Sequence, residues 1–419
     1  MMKEKQSEIN RRNFLKSVGA AGLGSVLVSA EAIAGPSESN AGAKGQTAKL
    51  PQVPRRKLGK TGVEVPSLSL GTLRVDTENQ ILLRRTLQSG INYWDTAYNY
   101  SGGNSELGIG KFLLKNPEVR KKLFIVTKAS GARTVADIEK RLQTSLKRVN
   151  TDYIDLYYAP HGVSDPAQLT DELNQWAEGA KKRKLIRYFG FSTHSNMAKC
   201  LAAAAKLDWI DAIMTRYSFR DMQNAEMQAA LDACHKAKIG LVAMKTVGRA
   251  SRRRGSQPTE TDAEKKLTEH LMQRGFTREQ AAIKLVLEDK RISSACVGML
   301  TVPILNANVA AALDKTKLTQ ADREVFNEYA KATCSGYCAG CAHICDAALA
   351  DVPYVSDIMR YLMYYNSYGD QDRARELFAQ IPHNIRSKLL VTDYSTAEAR
   401  CPQHMPIGKL ITEAVSKLA

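Results

Sequence analysis

The chain has 419 residues, 44% of them hydrophobic and 25% charged, proportions that exclude a disordered or fibrous protein. A net charge of +17 raises nucleic acid or a membrane surface as partners without bearing on fold, and eight cysteines are too dilute for a small disulfide scaffold. No stretch reaches the ~18 consecutive apolar residues of a membrane span, so no permanent membrane anchor is expected.

Residues 1–34 read as a signal peptide. Asn10-Arg11-Arg12-Asn13-Phe14-Leu15-Lys16 precedes a mild apolar run from Val18 to Ala30. Small-x-small cleavage sites follow at Ala30-Glu31-Ala32 and Ala32-Ile33-Ala34. The paired arginines resemble a twin-arginine signal, implying the twin-arginine export machinery as a partner and a periplasmic or otherwise exported location. The segment carries five bases and three acids, so its removal leaves +15. Residues 35–52, rich in Gly, Ser, Ala and Pro, read as a linker.

From Ser67 onward, short apolar runs alternate with helical-period segments. Strands are predicted at 67–72, 92–97, 123–128, 153–158, 188–193, 212–217, 240–245 and 292–298. The helices following them are predicted at 79–89, 105–114, 134–149, 168–182, 196–206, 224–238, 277–289 and 302–313. This alternation means parallel strands with crossover helices, and eight units suit a closed α/β barrel, a (β/α)8 TIM barrel. No G-x-G-x-x-G follows the first strand, which counts against a Rossmann sheet. Ahead of the barrel, residues 56–65 have the character of a β-hairpin that plugs its base. The domains are therefore a barrel over 53–318 and a cysteine-containing, mostly helical extension over 319–419.

In such a barrel chemistry gathers where strands end at their C-terminal side. The second strand ends in Trp94-Asp95-Thr96-Ala97 with Tyr100 in the next loop, the third in Thr127-Lys128, and His161 follows the fourth. Singly, Asp95 reads as a helix cap, Lys128 as a rim charge, and Tyr100 or His161 as packed rings; three adjacent strand ends together read as a catalytic pocket. The pattern resembles the aldo/keto reductase family over about residues 55–315. Asp95-Thr96-Ala97, Gly103-Asn104-Ser105-Glu106, residues 152–157, Gly190-Phe191-Ser192 and Asn308 support it. The resemblance implies an oxidoreductase acting on a small-molecule carbonyl or secondary alcohol. Tyr100 would exchange the proton, with Lys128 and Asp95 lowering its pKa and His161 orienting the carbonyl. The family histidine falls one position earlier, so His161, after Ala159-Pro160, is either displaced or follows a bulge.

The same resemblance implies NAD(P) bound at this face, with Ser192 at the carboxamide, Tyr217 stacked on the nicotinamide ring, and Gly298 and Asn308 in the nucleotide site. Lys245 is a diphosphate candidate or an exposed strand-end charge. Thr193 and Met214 stand where the family has its Asn and Gln. Leu300 replaces the arginine that reads the 2′-phosphate, which tilts the expectation towards NAD. The insertion from Gly248 to Gly275, with Arg252-Arg253-Arg254 and a helix start at Thr261, reads as a lid or as a solvated loop. Its arginine run has no aromatic interleaving, so nucleic acid is not expected as a partner.

The extension carries Cys334-x3-Cys338-x2-Cys341-x3-Cys345 and, far downstream, Cys401-Pro402. Thiolates so spaced can wrap one soft metal centre. The pattern resembles the bacterial-type ferredoxin extensions of some aldo/keto reductases. It implies one [4Fe–4S] cluster on Cys334, Cys338, Cys341 and Cys401 with Cys345 left over, or with Cys345 in place of Cys334. Zinc and disulfides are the alternatives. The cluster would be structural or would dock a redox partner. Cys200, Cys234 and Cys296 read as buried small hydrophobes. Tyr361, Tyr364, Tyr365 and Tyr368 read as packing rather than an electron route. A rival reading is an electron-transfer or scaffold protein with a catalytically silent barrel.

Overall fold

The computed structural model describes residues 50–248, 261–368 and 370–419. The signal-peptide reading of 1–34, nearly all of the linker and the Arg252–Arg254 run lie outside these residues.

A short antiparallel hairpin, β1 (Arg55–Lys57) and β2 (Glu64–Pro66), precedes the barrel. The barrel strands are β3 (Leu68–Gly71), β4 (Tyr93–Asp95), β5 (Phe124–Lys128), β6 (Ile154–His161), β7 (Ile186–Thr193), β8 (Ala212–Arg216), β9 (Gly240–Met244) and β10 (Ile292–Gly298). They close in chain order, with β10 pairing parallel to both β9 and β3. Between them lie α1 (Gln80–Gln88), α2 (Asn104–Lys115), α3 (Val135–Val149), α4 (Asp171–Lys182), α5 (Met197–Ala204), α6 (Ala225–Lys236), α7 (Asp262–Gln273) and α8 (Arg278–Glu288); α9 (Val302–Leu313) follows β10.

The strands read as apolar runs because both faces are buried. Inward, Tyr93, Val126, Leu156, Tyr158, Met214 and Val242 fill the barrel. Outward, Trp94, Ile125, Tyr157, Phe189, Ile213 and Leu241 pack under the helices. Leu58 of the hairpin turn enters the inner cluster, the Lys60 amide donates to Lys238 O at 2.6 Å, and Ser293 Oγ donates to Lys57 O at 2.9 Å. The hairpin is thus the basal plug. Helix starts follow their capping residues: Thr134 accepts from the Asp137 amide and Thr277 from the Gln280 amide.

The insertion helix α7 packs on α10 (Gln320–Ala332), joined by Lys266–Glu328 at 2.7 Å, His270–Asp322 at 2.6 Å and the cluster of Leu267, Leu271, Phe326 and Tyr329. Beyond it α11 (Ala342–Ala348), α12 (Val355–Met363), α13 (Gln371–Ala379), α14 (His383–Arg386), α15 (Ser395–Arg400) and α16 (Ile407–Leu418) wrap a second core around Ile358, Phe378, Leu389 and Ile411. Among the described residues no helix is long and apolar enough to cross a membrane.

Candidate active site

The strand-end residues meet at the mouth of the barrel. Asp95 closes β4 and Lys128 closes β5; both are almost fully buried. Lys128 Nζ donates to the Asp95 carboxylate and, at 2.7 Å, to Thr96 O. The ammonium lies 4.8 Å from the centre of the Tyr100 ring. Tyr100 opens a tight turn whose glycines do specific work. Gly103 has a φ of 97°, and a Cβ there would come within 2.7 Å of the Arg148 guanidinium. Arg148 pairs with Glu106 at 3.2 Å and donates to Tyr98 O at 2.6 Å. Glu106 accepts from Thr127 Oγ1 at 2.7 Å, while Ser105 Oγ lies 2.7 Å from both Thr72 and Thr96 hydroxyls. The Gly103-Asn104-Ser105-Glu106 stretch therefore fixes the loop that presents Tyr100.

His161 reaches the same cavity through a shift of register between Tyr158 and His161 in the β6–β7 pairing, where the Ala159–Pro160 peptide is cis. Of the two placements open in the sequence, the bulge is the one present. His161 Nδ1 lies 2.6 Å from Ser130 Oγ, and its ring centre 6.5 Å from that of Tyr100.

The electrostatics correct one expectation. Tyr100 is not drawn down by Lys128: burial, and after it the Asp95 charge, push its hydroxyl well above the ordinary tyrosine value. The Lys128 ammonium is paired instead with Asp95. Asp95 itself is pushed up by burial, against the pull of Lys128. Burial, then Lys128, Arg373, Arg360 and Lys245, hold His161 well below the usual histidine value. At neutral pH the pair offers a protonated phenol and a neutral imidazole, two hydrogen-bond partners suited to a carbonyl oxygen.

The cavity has a volume of about 1800 Å³ and is lined by both lobes. Small-molecule pockets hold roughly 300–1,000 Å³, so this one has room for a substrate and a second molecule. Asn308, Gly298 and Lys245 line it, as do Met214 and Leu300. Two expected cofactor residues do not. Tyr217 turns outward into the layer under the helices, where its hydroxyl donates to Asp289 at 2.8 Å. The strand alternation places Arg216, not Tyr217, on the cavity side. Ser192 Oγ accepts from the Gly162 amide at 3.2 Å and is absent from the lining. Cys200 and Cys234 are buried outside the barrel, whereas Cys296 is an inner-face residue at the cavity wall.

The extension supplies residues that sequence reasoning missed. Arg360 and Tyr364 line the cavity, and so does Arg373. With its amide nitrogen 2.8 Å from Ser130 Oγ, Asn99 presents its oxygen to Arg373 Nη1 at 3.1 Å, one residue from Tyr100. His194, just past β7, also went unnoticed; its ring lies 6.2 Å from that of His161. A signal existed for His194 and Arg216, since both follow or end a barrel strand. None existed for Arg360 or Arg373, whose helices are remote in sequence.

The cysteine loop docks on this face. Arg216 donates to Cys338 O at 2.9 Å and to Ala339 O, and the Asn196 amide donates to Gly340 O at 2.7 Å. Gly340 has a φ of 71°, and a Cβ there would meet His194 O at 2.4 Å, so only glycine fits between Cys338 and Cys341. Cys338, Cys341, Cys345 and Cys401 line one small pocket; Cys334 lies outside it, in a separate turn. The set expected first, with Cys334 included and Cys345 left over, is thus not the one that shares a pocket. All eight cysteines are free, and among the described residues no three His, Cys, Asp or Glu side chains converge to hold a metal ion.

A closed parallel barrel with a buried acid–ammonium pair, a tyrosine and a histidine at its C-terminal mouth defines a barrel oxidoreductase. The chain belongs to the aldo/keto reductase family: the model of that family matches residues 67–330. Among curated relatives, an uncharacterised oxidoreductase, YqkF, of Bacillus subtilis (strain 168) is 26% identical over 306 residues, covering 66% of this chain and 96% of its own. The L-glyceraldehyde 3-phosphate reductase of Escherichia coli (strain K12) is 24% identical over 325 residues, covering 65% of this chain and 93% of its own. Among solved structures, the apo form of the aldo-keto reductase AKR11C1 of Bacillus halodurans has a TM-score of 0.53 at 27% identity, covering 66% of this chain and 96% of its own. The family supports NAD(P) as cofactor and a small carbonyl or alcohol as substrate.

Proposed function

We propose that the protein is an exported aldo/keto reductase that interconverts a carbonyl and a secondary alcohol, with an iron–sulfur centre in its extension. The observation that supports the chemistry best is the convergence of Asp95, Lys128, Tyr100 and His161 at one cavity mouth. Tyr100 gives its phenolic proton to the oxygen as the carbonyl carbon accepts hydride, and takes it back in the reverse direction. The Asp95–Lys128 pair holds the ammonium under the ring, and the neutral His161 imidazole, fixed by Ser130, orients the oxygen.

A nicotinamide, when bound, supplies the hydride. Thr246 Oγ1 and His194 Nδ1 are buried, line the cavity and have no hydrogen-bond partner among the described residues, which suits a polar ligand there. Asn308, Gly298 and Lys245 would hold the cofactor, and Leu300 in place of a guanidinium favours NAD. The test is dihydronicotinamide oxidation with a panel of carbonyls. Tyr100→Phe is expected to lower kcat about a thousandfold with dinucleotide binding unchanged; turnover at the wild-type rate refutes the assignment.

For the metal centre the favoured ligands are Cys338, Cys341, Cys345 and Cys401, the last followed by Pro402. Their shared pocket supports this set. Zinc, which four thiolates also hold, is the alternative occupant. The centre would serve structure or dock a redox partner, because it passes one electron at a time whereas a hydride carries two. Anaerobically purified protein should show a visible band that bleaches with dithionite. Stoichiometric zinc without that band would discard the cluster.

A second reading, a silent barrel serving electron transfer, draws on the outward Tyr217 and the engaged Ser192. It predicts a bleachable cluster with no carbonyl reduction. Export rests on the Arg11-Arg12 segment and is tested by fractionating cells that carry Arg11→Lys with Arg12→Lys, which should retain the protein in the cytoplasm.

A further inference from the structure

A neutral histidine serves a carbonyl oxygen only if the ring nitrogen facing that oxygen carries the proton. For His161 the choice is made by a chain of hydrogen bonds that begins in the extension. Arg373 stands in the first turn of α13, with Nη1 2.9 Å from Glu376 Oε2. A guanidinium only donates, so what it meets on Asn99, at 2.5 and 3.1 Å, is the amide oxygen. The amide nitrogen is thereby turned to Ser130 Oγ, to which it donates at 2.8 Å. Ser130 is buried, and its hydroxyl has one proton to place. The acceptor within reach is His161 Nδ1 at 2.6 Å, and among the described residues no third group accepts from it. Were the ring proton on Nδ1, Ser130 Oγ would face two donors and its own proton would be stranded, which buried hydroxyls avoid. The ring proton therefore sits on Nε2, the nitrogen left for the cavity that His161 and Tyr100 both line.

We propose that Arg373 is a positioning residue that sets the tautomer of His161 from the extension, through Asn99 and Ser130. Without Arg373 nothing orients the amide. Turned over, its oxygen would accept from Ser130, Ser130 would accept from Nδ1–H, and Nε2 would offer a carbonyl oxygen a lone pair instead of a proton. The use made of the tautomer rests on the reductase reading, and it gives the extension a part in the chemistry: a barrel alone would lack the guanidinium that starts the chain.

The test uses the full chain, purified anaerobically with 15N-labelled histidine, and reads the ring nitrogens by NMR at about pH 8, above the usual histidine value. The His161 signals are assigned by their loss in His161→Gln. In the parent, Nδ1 should be the bare nitrogen and Nε2 the protonated one. Asn99→Asp keeps an acceptor for Arg373, and so keeps the contact between the lobes, but it gives Ser130 an acceptor in place of a donor. It should reverse the tautomer, whereas a merely structural contact would leave it unmoved. Arg373→Met should give both tautomers, and Arg373→Lys, another pure donor, should restore the parent pattern in part. In turnover, Asn99→Asp and Arg373→Met should lower kcat roughly tenfold to a hundredfold with dinucleotide binding unchanged. The proposal is overturned if the parent carries its proton on Nδ1, if Asn99→Asp leaves the tautomer as it was, or if a reversed tautomer turns over at the parent rate. The NMR readout needs no turnover, so a parent with Nε2–H that reduces no carbonyl would refute the reductase reading and leave the hydrogen-bond chain standing.

Discussion

Each barrel strand buries two faces, inward around Leu156 and outward around Tyr157, and the eightfold ring leaves no strand edge. The helices beyond α10 wrap a smaller core that includes Cys345 and Cys401 among its buried residues. Their contact with the barrel mouth includes polar bonds, among them Arg216 to Cys338 O, Asn196 N–H to Gly340 O and Arg373 to the Asn99 side-chain oxygen. A large, closed apolar core is self-sufficient, whereas a small one gains from a staple. The cavity lies where the two meet: the barrel brings Asp95, Tyr100 and His161 to it, and the extension brings Arg360 and Arg373.

The largest test of this contrast removes the proposed metal centre. Cys401→Ser, or an iron chelator, should split thermal unfolding into two steps and leave the extension protease-sensitive while the barrel persists. One unchanged transition would show that no metal centre holds the lobe. Next come matched cavities, made in the Cys401→Ser background where two steps are expected. Leu156→Ala in the barrel should cost about 2–5 kcal/mol and lower the later step, while Phe378→Ala should cost about 3–5 kcal/mol and lower only the earlier one. Equal shifts of a single step would mean that the lobes melt as one.

The smallest effect is on the barrel surface. Glu139 accepts from Arg183 at 2.9 and 2.8 Å and from Trp176 at 2.8 Å, and these bonds hold its carboxyl down to about 2. A depressed folded pKa adds stability above the unfolded value of ~4.3, lost as pH falls from there towards about 2. The pair is well solvated, so the effect should stay below about 1 kcal/mol. Glu139→Gln should flatten the acid limb of the barrel step and leave the extension step unmoved; the same slope in both proteins would discount the pair.

Much of this was legible beforehand. The eight strand–helix units lie within a few residues of where apolar period and capping residues put them, because each depends on local alternation and local hydrogen bonds. The basal hairpin and the Asp95, Tyr100, Lys128 and His161 quartet were readable for a related reason: in a parallel barrel, position along the chain dictates position around the rim. The cofactor side chains were less so. A one-residue step at a strand end changes the face, and that step sends Tyr217 outward and Arg216 inward.

The sequence by itself determined the barrel, its plug, the four rim residues and the concentration of thiols in the tail. Tertiary structure alone decided that Cys345 rather than Cys334 joins the shared pocket, that Tyr100 is raised rather than lowered, and that Arg360 and Arg373 stand over the cavity. Each of these depends on burial or on contacts between segments far apart in the chain, and neither leaves a periodic trace in the residues.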